Sequence, residues 1–471
     1  MLEANRQMPD QHATSHARRL ASFQVVGLFG LFDHRIELRL QERITIIYAP
    51  NGYGKTILLR MIASFFGGSL LIYRNVEFQE VIIDLSDGAK IKIIPRLSLS
   101  NLPDIGDNAP PKTYTIHLEH EGITEEWSPW DKKNGVNIRQ VPLSSIERYV
   151  PFLDRLSARE WRDSRTNEIL SLDEALERSS EYLPPHLLRP SNQPEWLTSI
   201  RNSVHCRLIE TQRLLVVDSR REQRAADTAA NMTPAVRTYS GSLAAQIGDV
   251  LADSGTIGQS LDRTFPHRFL ARLGGQSEPL SEVTLNQRLS ELEELRTRLT
   301  NVGLLDPTED AAVVSSQDFT LVIRHFLTEY LDDNWKKLAV YVPLLSKLEL
   351  FVHLINNRFR FKTIAIDRKE GYVFHDIRER KLAPESLSSG EQHELVLIYE
   401  LLFQTRKDTL ILIDEPEISL HIAWQKQVLS DLRRIIELSP MDILISTHSP
   451  QIIGSNLDIA IGLSGPTISK S

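Results

Sequence analysis

Residues 44–66 read ITIIYAPNGYGKTILLRMIASFF, and no other run constrains the fold of this chain as tightly. ITIIYA is β-branched and apolar, as a buried strand is, and TILLRMIASFF is rich in apolar residues and good helix formers. Between them, APNGYGKT matches the phosphate-loop pattern G-x-x-x-x-G-K-[ST], with Ala49 where glycine is commoner. Gly52 and Gly54 allow the tight turn through Asn51 and Tyr53 that aims successive backbone N–H groups at a phosphate. The helix that follows adds its positive N-terminal end. In this pattern Lys55 neutralises the outer phosphates of a bound nucleotide and the Thr56 hydroxyl ligates Mg²⁺.

A partner for the loop lies far downstream. TLILIDEPE carries four apolar residues, Leu410 to Ile413, and then two adjacent carboxylates. Two acids at a buried strand end repel unless a cation offsets them. Asp414 is therefore expected in the Mg²⁺ shell, and Glu415 is expected to polarise the attacking water. LSSGEQ (387–392) is expected to open a helix, with Ser388 as N-cap and Gly390 permitting close approach of a phosphate. STHSP (446–450) places His448 at the end of a further strand, within reach of a γ-phosphate.

The chain around these motifs reads as alternating strands and helices. FQVVGL (23–28) and RIELRL (35–40) are expected strands, and hairpins are expected around Asp87-Gly88 and Glu121-Gly122. Residues 98–112 read as loop. RLIETQRLLVV (207–217) reads as one strand returning to the main sheet, and the Arg- and Ala-rich stretch Asp218 to Gly241 reads as mobile. Leu285, Leu289, Leu292, Leu295 and Leu299 share one side of an amphipathic, coiled-coil-like helix. Residues 318–357 are helical in pattern, and a hairpin turns at Lys369–Gly371. After that, strand–loop–helix alternation predicts a parallel sheet covered by helices.

Composition narrows the setting. With 54 Lys plus Arg against 62 Asp plus Glu, the net charge is −8, so the protein is not basic all over. Cys206 is the one cysteine, which excludes a disulfide within the chain and a cysteine-based zinc site and suits a reducing cytoplasm. It reads as a small buried hydrophobe. The leading residues 1–20 lack the apolar run of an export signal and read as a disordered leader, and no later run suits a membrane span. A soluble, cytoplasmic protein is expected, with no membrane partner. The arginines of 218–237 read as a solvated loop, and Trp127 and Trp130 as packing residues.

APNGYGKT, Gln212, LSSGEQ, LILIDEPE, ISLH and STHSP together resemble the Walker A, Q-loop, signature, Walker B, D-loop and switch histidine of ABC-type ATPases. The resemblance is strongest to the SMC and RecF branch, and within it to stand-alone AAA-family ATPases of bacterial anti-phage systems such as PARIS and Septu, and to the ATPase half of OLD-family nucleases. It covers about residues 21–75, 205–217 and 358–465. The implied fold class is α/β: a P-loop NTPase with an ABC-type head, a mixed sheet plus an antiparallel β subdomain, and a compact helical insertion. Ser389 stands where many ABC proteins have glycine, and the D-loop ends in His421 rather than aspartate.

The resemblance implies that ATP and Mg²⁺ are bound by Asn51 to Thr56, with Gln212 joining Thr56 and Asp414 at the metal. Glu415 and His448 are the implied catalytic residues. Ser388, Ser389, Gly390 and Glu391 are implied to face the γ-phosphate of the opposite subunit, because a signature cannot reach its own Walker A loop. A homodimer, or a higher oligomer built from dimers, follows. The expected domains are the leader 1–20, an N-terminal head part 21–217, a mainly helical insertion 218–357 and a C-terminal head part 358–471. The interval from Thr56 to Ser388 is far shorter than a long SMC arm needs. After His448 the chain runs only to Ser471, too short for a TOPRIM nuclease domain. The expected function is an ATP-hydrolysing switch that regulates a separately encoded effector in phage defence. The alternative is a RecF-like repair ATPase with DNA as partner. A nuclease site within the insertion is the weakest reading, since no acidic or histidine motif of nuclease spacing stands out there.

Overall fold

The computed structural model describes residues 18–67, 70–96, 113–128, 143–157, 159–179, 183, 193–210, 213–217, 232–275, 278–307, 320–419 and 422–466. The expectations for residues 1–17, the loop 98–112, Trp130, Gln212, residues 218–231 and His421 lie outside the described residues.

At the centre is a five-stranded parallel sheet in the order Cys206–Ile209, Leu410–Asp414, Asp442–Thr447, Ile44–Tyr48, Ala460–Gly462. Its strands are apolar on both faces, because period-two alternation sends successive side chains to opposite sides and both sides are covered. Ile411, Ile413, Ile443, Ile445, Ile44 and Ile46 pack into one core, and Leu410, Leu412, Leu444 and Ile47 into another. The second core is closed by the helix Lys55–Gly67 and by a six-stranded antiparallel sheet. That sheet runs Phe32–Glu37, Leu20–Leu28, Glu80–Leu85, Lys90–Arg96, Thr113–His120, Ile123–Trp127. The hairpin at Glu121-Gly122 is present, with both residues at positive φ. Trp127 packs in this core.

The first core is closed by the helix Ser389–Tyr399 and by four longer helices, Ala235–Gly274, Glu282–Val302, Leu321–Ala339 and Val342–Asn356. Leu285, Leu292, Leu295 and Leu299 are its buried stripe on Glu282–Val302. Arg268 joins two of these helices: its guanidinium grips Asp333 through two nitrogens, at 2.7 and 2.5 Å, and also pairs with Glu329. The hairpin Lys362–Asp367 with Gly371–Asp376 docks on Ala235–Gly274. Gly371 sits at φ +85, and a Cβ there would lie 2.0 Å from the Ser240 carbonyl oxygen. Only glycine fits that approach.

Four sequence expectations are corrected. The stretch 207–217 is not one strand. Cys206–Ile209 pairs in parallel with Leu410–Ile413, whereas Leu215–Val217 pairs antiparallel with Met232–Pro234. Between them Arg213 turns inward and is buried. The stretch expected to be mobile up to Gly241 contains the strand Met232–Pro234, and a 40-residue helix begins at Ala235, with Val236, Tyr239 and Ser240 buried. The strand placed at 35–40 is Phe32–Glu37, because antiparallel pairing with Leu20–Leu28 sets its bounds. Cys206 is half-buried rather than buried, and burial pushes its thiol pKa up, away from a reactive thiolate.

Candidate functional site

The loop after Ile44–Tyr48 turns through Gly52 at φ +89 and Gly54 at φ +82. Gly54 has a second constraint: a Cβ there would lie 2.8 Å from Leu28 Cδ2. The loop is held from outside as well. His34 Nε2 lies 2.9 Å from the Tyr53 carbonyl oxygen, which can only accept, so Nε2 carries the proton. Burial lowers the His34 pKa and favours this neutral ring. The Phe32 ring packs between those of His34 and Tyr53, at 5.5 and 5.4 Å.

Lys55 is buried and folds back over the loop. Its Nζ donates to the Ala49 and Pro50 carbonyl oxygens at 3.0 and 3.3 Å and lies 3.7 Å from Glu415 Oε1. Thr56 Oγ1 donates to Asp414 Oδ2 at 2.9 Å, so residues 358 positions apart meet at one point. The other oxygen of Asp414 accepts from Ser446 Oγ at 2.5 Å. Ser446 faces Asp414 because parallel pairing places the two strands in that register. A hydroxyl and a carboxylate oxygen are hard donors of the kind Mg²⁺ takes. Their 2.9 Å separation is close to the edge of an octahedron whose bonds are about 2.1 Å long, roughly 3.0 Å. The pair fits a Mg²⁺ ion.

Glu415 follows at φ +41, a left-handed conformation rare outside glycine. Its N–H donates to the Ser446 carbonyl oxygen at 3.0 Å, which fixes the turn that brings its carboxylate toward Lys55. His448, with a half-exposed side chain, stands across from it, Nδ1 lying 3.7 Å from Glu415 Oε1. A third acid was missed in the sequence. Glu417, on the turn Pro416–Ser419, is buried and meets His448 more closely, at 3.1 Å from Nδ1.

The signature segment is built as its sequence predicts at the helix start. Ser388 caps the helix Ser389–Tyr399 in a reciprocal capping box with Glu391. Glu391 Oε2 accepts from the Ser388 N–H at 2.8 Å and from Lys362 Nζ at 2.6 Å. Burial works against its ionisation, but these partners outweigh it and hold the carboxyl below its usual range. Glu391 thus spends Oε2 on both the cap and Lys362. Gln392 donates to the carbonyl oxygens of Leu387 and Glu385, at 2.8 and 3.2 Å. Ser388 and Ser389 are exposed. Among the described residues, the structure gathers Asn51 to Thr56, Asp414, Glu415 and His448 around the ends of three neighbouring strands. Ser388 to Glu391 make no hydrogen bond to the 49–56 loop.

A glycine loop between a parallel strand and a helix, facing a carboxylate at the tip of a second parallel strand, defines a P-loop ATPase fold with mixed parallel and antiparallel sheets. Residues 287–454 match the family model described as "AAA domain, putative AbiEii toxin, Type IV TA system". The match takes in the signature segment, Asp414, Glu415 and His448. Among solved structures, the chain is similar to the Smc head domain of Pyrococcus furiosus with an extended coiled coil bound to the C-terminal domain of ScpA. Identity there is 12%, coverage 95% of this chain and 94% of that one, and the TM-score 0.30. The SMC head domain of Thermotoga maritima gives 10% identity, 95% coverage of each chain and a TM-score of 0.31. The Smc head domain of Pyrococcus yayanosii with a coiled coil and joint gives 13%, 94% and 95% coverage, and 0.32. No curated protein matches. Among the described residues, no single helix is long and apolar enough to cross a membrane.

Proposed function

We propose that the chain is an ATP-binding and ATP-hydrolysing switch of the ABC/SMC-like class, which closes as a dimer around ATP and regulates a separate cytoplasmic effector in phage defence. The observation that carries this reading is the Thr56–Asp414 hydrogen bond flanked by the Lys55–Glu415 contact. It joins a phosphate loop to a pair of acids, as phosphoryl transfer requires.

In this reading the loop N–H groups of Asn51 to Thr56 hold the phosphates, and Lys55 leaves its carbonyl partners to neutralise them. Mg²⁺, held by Thr56 and Asp414 with Gln212 as a third ligand, would offset phosphate charge. Ser446 keeps Asp414 turned toward Thr56. Glu415 orients the attacking water, and His448 faces the γ-phosphate. Ser388, Ser389 and Gly390 present the exposed end of their helix to the γ-phosphate bound by a second copy, and Glu391 braces that end. One chain carries each motif once, so a two-fold pair gives two composite sites.

The test mixes two inactive chains. Lys55→Ala should lose ATP affinity in calorimetry, and Ser388→Arg should keep it but lose turnover. In the mixed dimer one site carries both defects and the other is intact, so partial ATPase activity should return. High activity from Ser388→Arg alone would refute the composite site.

A further inference from the structure

We infer that Glu417 is a positioning residue for His448: it anchors the imidazole through Nδ1 and keeps that ring off Glu415. The inference rests on the ATPase reading above. Three groups of the neighbouring strand end converge on Glu417 Oε1. The Thr447 hydroxyl and the His448 N–H each donate to it at 2.7 Å, and His448 Nδ1 lies 3.1 Å away. The carboxylate is buried, its side chain 5% exposed. Its second oxygen, Oε2, is buried with no hydrogen-bond partner among the described residues. Burying a carboxylate with one oxygen unpaired is costly. A purely structural contact between this turn and the neighbouring strand could be made by an uncharged side chain at lower cost.

The geometry points to what the charge does. Nδ1 has two carboxylates within reach, Glu417 at 3.1 Å and Glu415 at 3.7 Å. The nearer one is the closer electrostatic partner of Nδ1, which leaves Glu415 free to face Lys55 and a water. A ring held at Nδ1 presents Nε2 on its opposite edge, and the His448 side chain is 45% exposed, so that edge is open to a bound nucleotide. The turn that carries Glu417 is itself tied to the strand end. Gln425 donates to the Glu417 carbonyl oxygen at 3.3 Å and accepts from Ser449 Oγ at 2.8 Å. Backbone and side chain of Glu417 are thus both fixed relative to His448.

The experiment is a double-mutant cycle in kcat at saturating Mg²⁺–ATP, combining Glu417→Gln with His448→Ala, with the ATP Kd measured for each protein. Glu417→Gln should lower kcat on the order of 10-fold or more, the size typical of a lost orienting partner, with Kd unchanged within about twofold. In the His448→Ala background the same substitution should cost less than about twofold, because the ring it orients is gone. Thr447→Val removes an equally short bond to the same oxygen without touching the ring, and should leave kcat within about threefold. If Glu417→Gln does not fold, Glu417→Asp, which draws the carboxylate back from the ring, takes its place in the cycle. Equal losses in both backgrounds, or a wild-type kcat for Glu417→Gln, would overturn the role of Glu417 on an enzyme whose turnover depends on Lys55. Turnover that survives Lys55→Ala would instead sink the ATPase reading on which the inference rests.

Discussion

Two adjacent residues of the signature helix should tilt the stability of this protein in opposite directions with pH. Burial raises the Glu394 pKa from 4.5 to about 7, with Arg358 at 3.0 Å opposing the shift and Glu391 adding to it. Between those values the folded chain holds a proton that the unfolded chain has released, so Glu394 makes stability fall as pH rises through the window. The shift corresponds to about 3 kcal/mol at about 1.4 kcal/mol per pH unit. Burial lowers the His393 pKa from 6.5 to about 4, and the buried Arg213 guanidinium adds to the shift. Here the folded chain resists protonation, so this stability is complete above pH 6.5 and is lost as pH falls toward 4, again by about 3 kcal/mol. From pH 4.5 to 6.5 the two slopes cancel in the wild type. Glu394→Gln should expose the histidine slope and weaken the fold as pH falls from 6.5 to 4.5, by about 2–3 kcal/mol. His393→Gln should expose the opposite slope, with stability rising over the same interval. Urea midpoints taken at constant m across pH 4.5 to 7.5, followed by tryptophan fluorescence, give the measurement. Parallel pH profiles for wild type and both variants would refute the burial argument at this helix.

Glu415→Gln should bind Mg²⁺–ATP as the wild type does but turn it over at least about 100-fold more slowly, through loss of the base; wild-type single-turnover rates would remove Glu415 from that role. Gly52→Ala and Gly54→Ala should differ although both residues sit at positive φ. Each change costs about 1–2 kcal/mol of backbone strain. Gly54→Ala adds an overlap with the buried Leu28 side chain, worth a further ~1–3 kcal/mol, so its ATP affinity should be the lower of the two by calorimetry. Equal losses would show that the contact with Leu28 does not shape the loop.

The legible parts of this fold are those whose signal is local. The strand–loop–helix around Asn51 to Thr56 needs only glycines at the turn and apolar residues on either side, and the capping box at Ser388 needs only Glu391 three residues on. What sequence misjudged was decided by partners. The run 207–217 has the same apolar character whether it is one strand or two. Only the edge offered by Leu410–Ile413, and a separate partner at Met232–Pro234, splits it around Arg213. The helix Ala235–Gly274 begins in a stretch whose arginines and alanines suggest solvent. It is held there by contacts that no window reveals: the Tyr239 ring stacks on Tyr399 at 4.7 Å, and its hydroxyl donates to Glu400 at 2.5 Å. Arg207 reaches the same carboxylate at 3.0 Å.

The candidate site divides along the same line. Lys55, Thr56, Asp414 and Glu415 announce themselves because their chemistry is written into contiguous motifs. The groups that hold them in place do not. Ser446 reaches Asp414 only because the strands Leu410–Asp414 and Asp442–Thr447 pair in parallel with these two residues opposite. A slip of one residue would turn the hydroxyl to the other face of the sheet and leave Asp414 without it. Glu417 did leave a trace, a third acid in DEPE set apart from the first two by Pro416. Its meaning depends on the turn Pro416–Ser419 folding the side chain inward under His448, at the end of a strand that begins at Asp442. Register and turn geometry, not composition, convert that spare carboxylate into an anchor for the histidine.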